Sequence, residues 1–148
     1  VYHVVPFAEG NAAGVVFHLV PAGGISQLYQ YRTVTFSPDD APPTLLADGL
    51  GIVTSLVAAP PHLSWGEAPT STAPVLAWSR IAFELDSRCE VARLNAGGLG
   101  PISPCQEPGD DASGVEHLVR GVAPWDPAGR LFVLWSTGSA LHSRILLP

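Results

Sequence analysis

The chain has 148 residues, of which 47% are apolar and 14% charged, and its net charge is −6. That length and composition suit one domain with a buried core and lie far from the low-hydrophobicity, high-charge regime of disordered chains. All seven basic residues are arginines scattered from Arg32 to Arg144, which leaves out the clustered basic face that nucleic acid requires, and no apolar run approaches the roughly 20 residues that span a bilayer.

The opening "VYHVVPFAEG" has no methionine and no basic lead-in, so it does not read as a signal peptide. Methionine is absent throughout, which reads as a chain trimmed or cut from something longer. In the first third, strands are expected at "YHVVPF", "GVVFHLV", "SQLYQYR", "TVTFS" and "PTLLAD". In the middle they are expected at "GIVTSLVA", "PVLAWS", "RIAFELD" and "EVARLN", and at the end at "EHLVRGVA", "RLFVLWS" and "LHSRILL". In "RIAFELD", Ile81, Phe83 and Leu85 alternate with Ala82, Glu84 and Asp86, the period of a half-buried strand. Both faces of "RLFVLWS" are apolar, which predicts cover on both sides. Helical periodicity is confined to a single turn in "GVEHLVRG". Fifteen Gly and fifteen Pro punctuate these runs, so the fold class is all-β: a sandwich, barrel or propeller.

Internal spacing narrows the choice. Phe36, Trp78 and Trp125 stand 42 and 47 residues apart, each followed by a polar turn and then a strand. The turns "SPDD" and "DPAG" supply sharp reversals, Pro by fixing φ and Gly or Asp by tolerating positive φ. A second echo, "ADGLG" against "AGGLG", is offset by 49 residues. The segments "F-S-P-D-D" and "W-D-P-A-G-R-L-F" resemble the W-S-P-D-G-R signature of WD40-like and TolB-type β-propeller repeats. The resemblance implies antiparallel repeats of about 42–50 residues and protein partners. It departs from the pattern in the middle copy, which lacks the Pro-Asp-Gly turn. A propeller needs 4–8 blades, and this length supplies three. Residues 1–148 are then one all-β domain that is a fragment of a larger propeller, or that joins further blades in a homo- or hetero-oligomer. The same twelve strands also describe a β-trefoil or a β-sandwich.

Signals for chemistry are sparse. No nucleophile elbow, phosphate-binding loop or zinc spacing occurs, and the expectation is a non-catalytic module with no cofactor and no metal. His18 reads as a strand residue on the more polar face, and His117 follows Glu116, a carboxylate placed to tune it. Glu107, Asp110 and Asp111 lack calcium-loop spacing and read as a solvated loop. Cys89 and Cys105 enclose fifteen Gly/Pro-rich residues and are expected to pair, which points to an extracellular or periplasmic setting. Trp78, Trp125 and Trp135 read as core or inter-sheet anchors. Trp65 differs: it lies in the Pro-rich "APPHLSWGEAPTST" with His62 and Glu67, and loop aromatics supply binding energy. His62, Trp65 and Glu67 are therefore the candidate site for a protein partner. The alternative function, tied to the trefoil, is a secreted carbohydrate-binding or protease-inhibitor domain.

Overall fold

The computed structural model describes residues 2–9, 12–33, 42–60, 73–81, 87–95, 97–106 and 115–147. Within them the chain forms twelve strands in three antiparallel sheets and no helix. The first sheet runs β1 (Val4–Glu9), β2 (Ala12–Leu19), β3 (Gln27–Thr33), β4 (Thr44–Ala47). The second runs β5 (Ile52–Ala59), β6 (Val75–Ile81), β7 (Ser87–Asn95), β8 (Gly98–Leu99), and β9 (Ser103–Pro104) also pairs with β7. The third runs β10 (His117–Pro124), β11 (Leu131–Thr137), β12 (Ala140–Leu146). Apart from the β9–β7 pairing, each is a meander of sequence neighbours.

Two cores separate the three layers, with the second sheet in the middle. Phe7, Val16 and Leu28 of the first sheet meet Val53, Leu56, Leu76, Trp78, Ala92 and Leu94 of the second. Val75, Ala77, Cys89 and Val91, on the opposite face of that sheet, meet Val119, Leu131, Val133, Trp135 and Leu146 of the third. Strand β6 shows why the middle layer holds both: Val75 and Ala77 enter one core, Leu76 and Trp78 the other, and all four are fully buried. An uninterrupted apolar run with side chains alternating between faces requires cover on both sides.

Several expectations change. "RLFVLWS" is covered on one side only, because β11 is the central strand of an outer sheet. Leu131, Val133 and Trp135 are buried while Phe132 and Leu134 are half-buried on the other face. The strand expected at "EHLVRGVA" is β10, and it takes in the segment read as a helical turn in "GVEHLVRG": His117 to Gly121 belong to it, with a bulge between Val119 and Gly121. Tertiary pairing with β11 overrides a weak local preference. "RIAFELD" contributes Arg80 and Ile81 to the end of β6, and 82–86 lie outside the described residues. "ADGLG" is the link from β4 to β5 whereas Gly98 and Leu99 of "AGGLG" are β8, paired with β7, so the two are not equivalent. Among the described residues no sheet closes on itself, and they show neither a closed barrel nor a closed propeller ring.

The aromatic spacing is also corrected. Trp78 is fully buried in mid-strand, whereas Trp125 is 48% exposed in the β10–β11 turn, and Phe36 lies outside the described residues. The register pairs Trp78 with different residues. Phe17, Trp78 and Trp135 each sit on the second strand of their sheet, opposite Val4, Leu56 and Val119 on the first strand. Across the third strand they face Tyr29, Glu90 and His142. Phe17 stacks on Tyr29 and Trp135 on His142, both at 5.6 Å, and the Trp78 indole N–H donates to Glu90 at 2.9 Å. Arg80 holds that Glu90 carboxylate from the other side with two bonds, at 2.8 and 2.9 Å. The residue after each aromatic, His18, Ser79 and Ser136, is polar and buried.

Candidate interaction surface

Hydroxyls join the layers. At the entrance to the third strand, Ser26 in the first sheet accepts the Val53 backbone N–H at 3.2 Å. At the matching entrance in the second sheet, Ser87 accepts the His117 N–H at 2.7 Å. Each bond runs to the start of the next sheet's first strand. Ser79 adds a third, accepting the Val119 N–H at 2.7 Å, shared with Ser55 at 2.9 Å. Serine suits these places because it is small enough for sheets to approach closely. Its oxygen also pairs an edge-strand N–H that would otherwise be buried without an acceptor.

These contacts orient the sheets alike. The starts of β5 and β10 are tied to the entrances of β3 and β7, so the first strands of all three sheets run in the same sense. At the opposite end, Arg93 near the end of β7 donates to the carbonyls of Gly129, at 2.7 Å, and Ala73, at 3.3 Å. One guanidinium thus joins the β10–β11 turn to the far side of the β5–β6 connection. The ends of β1 and β5 border an apolar cleft of about 350 Å³ lined by Pro6, Phe7, Ala8, Ala58, Ala59 and Pro60.

The β10–β11 turn is built to hold its shape. Gly129 adopts φ +90°, and its N–H donates to the Asp126 carbonyl. The Asp126 carboxylate accepts from the Arg130 backbone N–H at 3.1 Å and from its guanidinium at 2.5 Å. Desolvation works against ionisation there, but the Arg130 bonds and charge and the Ala128 N–H together outweigh it and hold the carboxyl below its ordinary range. The turn presents Trp125, packed at 6.0 Å on Phe132. Trp125, expected from the sequence to be a core or inter-sheet anchor, is instead half exposed on this braced turn. Its flanks, Pro124 and Asp126-Pro127, are the signal that places it in a turn.

His62, Trp65 and Glu67 lie outside the described residues. The connection that contains them leaves from Pro60 and returns at Ala73, the end where Trp125 stands. Cys89 and Cys105 are bonded, with both residues fully buried in the second core. Arg144 donates to the Gln106 carbonyl at 2.9 Å, tying β12 to the cystine loop. His18 is a correction: it is 3% exposed, on the core side of β2 with Val16, because the first sheet is covered by the second. Its Nε2 lies 2.8 Å from the Ser26 hydroxyl. That pair is structural, since Ser26 is fully buried and already accepts the Val53 N–H. Burial pushes the His18 imidazole below its ordinary value, and the charge of His3, stacked 5.6 Å away, adds to this. Among the described residues, no three His, Cys, Asp or Glu side chains come together as metal ligands. No family model, curated protein or solved structure matches this chain.

Proposed function

We propose that this chain is a non-catalytic protein-recognition module: three propeller-type blades that form a rigid support for connections at one end. The observation that carries this reading is the recurring hydroxyl joint, Ser26 to Val53 and Ser87 to His117, which sets successive meanders on one another in the same orientation. Like orientation gathers the Trp125 turn and the two ends of the Pro60–Ala73 connection at one pole, as a propeller gathers its loops. Buried cores on both sides of the middle sheet keep that support stiff, and stiff scaffolds lose little entropy when their loops bind. Trp125, with Trp65, His62 and Glu67 from the Pro-rich connection, supplies the aromatic and polar anchors a protein partner would engage. The buried cystine suits an oxidising setting, and we place the protein outside the cytoplasm, in an extracellular or periplasmic space.

The test is capture of a binding protein by the immobilised chain, followed by variants at the two poles. Trp125→Ser and replacement of 61–72 by a Gly-Ser linker should each lower capture at least tenfold, with unchanged circular dichroism. Ile52→Ser, at the start of β5 and so at the opposite pole, and 57% exposed, should leave capture intact. Capture that survives both changes at the Trp125 pole contradicts the proposal.

A further inference from the structure

The two outer faces of the stack are unlike, and each matches a face that is buried elsewhere in the molecule. On the third sheet, the face turned away from the second core carries Leu118, Phe132, Leu134, Ser136, Leu141 and Ile145. By register, Leu141 is the counterpart of Leu28 and Cys89: it lies opposite Ser136, as they lie opposite His18 and Ser79. Leu28 and Cys89 are fully buried by the sheet that follows them, whereas Leu141 is 66% exposed. Ser139 stands at the entrance to β12, the place where Ser26 and Ser87 bind the next sheet.

On the first sheet, the outward face carries Val4, Phe17, Tyr29 and Leu45, aligned across its four strands. These occupy the places that Leu56 and Trp78 in the second sheet, and Val119 and Trp135 in the third, turn toward the preceding sheet. Val4 is 55% and Leu45 45% exposed, while Leu56 and Val119 are buried. One end of the stack thus ends in a face that receives a following sheet, and the other begins with a face that docks on a preceding one.

We infer that the occupant of the third sheet's open face is the first sheet of a second copy of this chain, and reciprocally, so that two copies close head to tail into a ring of six sheets. The inference rests on the propeller reading above. Both halves of the joint already exist in one chain and repeat its two internal interfaces. Two copies give a sheet number inside the 4–8 that such rings use. A head-to-tail joint closes only when its rotation returns to the start and otherwise grows into a filament, so the assembly size is itself diagnostic.

The experiment is light scattering on the size-fractionated 148-residue chain at tens of micromolar. The wild type should have twice the 15.5 kDa of one chain. Leu141→Glu and Val4→Arg, each at an exposed position, should run as single chains with unchanged circular dichroism. Mixed in equal amounts they should return to twice that mass, because one intact joint remains and the altered one pairs Glu with Arg. A wild type of single mass or of open-ended higher mass overturns the inference, as does a double-mass Leu141→Glu. If both variants are single chains and the mixture stays so, head-to-tail pairing is likewise overturned. A single-mass chain that still captures its partner through the Trp125 pole refutes the two-copy ring alone, whereas loss of pole dependence refutes the underlying reading.

Discussion

Replacing Ser87 with alanine isolates the joint on which the arrangement of sheets depends. Ser87 is 6% and His117 3% exposed, and the 2.7 Å bond between the Ser87 hydroxyl and the His117 N–H spans two sheets. Alanine removes the acceptor and leaves a backbone N–H without water to replace it, a loss of about 1–3 kcal/mol. In a chain of this size that lowers the melting temperature by about 2–4 °C per kcal/mol. Ser79→Ala is the internal control. Its partner, the Val119 N–H, keeps Ser55 at 2.9 Å, so the loss should stay below about 1 kcal/mol. Ser139→Ala, at an exposed position of β12's entrance, should leave a single chain's stability within about 0.5 kcal/mol of wild type. Urea unfolding followed by tryptophan fluorescence, with unchanged m-values, measures all three. Ser79→Ala destabilising more than Ser87→Ala, or Ser87→Ala matching wild type, refutes this role for the Ser87 hydroxyl.

Three further outcomes follow from the same structure. Replacing Cys89 and Cys105 together by alanine reopens a loop of sequence separation 16 and should lower stability by about 3 kcal/mol; urea curves that superimpose on wild type contradict the entropy argument. His18 has a folded-state pKa below its unfolded value of 6.5. The unfolded chain therefore binds its proton first as pH falls, and His18's contribution, complete above pH 6.5, is lost as pH drops through the folded value. His18→Gln should flatten that part of the stability profile between pH 8 and 5, and a profile parallel to wild type argues against it. Gly14 has no room for a methyl group, which would meet the Tyr31 carbonyl and lie 2.6 Å from the Phe7 ring. Gly14→Ala should lower stability by about 1–3 kcal/mol, read as an earlier urea midpoint.

What was legible in the sequence is mostly what depends on local pattern. Gly/Pro punctuation and short apolar runs identified strands close to β2, β3, β5 and β11, and the cysteine spacing identified the Cys89–Cys105 bond. Which aromatics correspond was not legible. Trp125 matches Trp78 in spacing, yet the environment of an aromatic is set by its strand position and its cross-strand partner. The phrase "LAWS" against "VLWS", residues 76–79 and 133–136, held the better signal: an apolar pair, an aromatic, then a small hydroxyl. Ser26 and Ser87 were invisible for a different reason. A serine beside a turn looks like any loop serine until the next sheet's N–H arrives at its oxygen. His18 reads polar by residue type, and only the covering second sheet makes its place a core position.

Amide hydrogen exchange on the chain, free and saturated with its captured partner, reads the recognition surface directly. Binding at the pole that holds the braced turn, Pro60 and Ala73 predicts slowed exchange over Trp125–Arg130 and around Pro60 and Ala73, with the Cys105–Gln106 pole unchanged. Slowed exchange confined to the cystine-loop pole, with Trp125–Arg130 exchanging as in the free chain, contradicts the account.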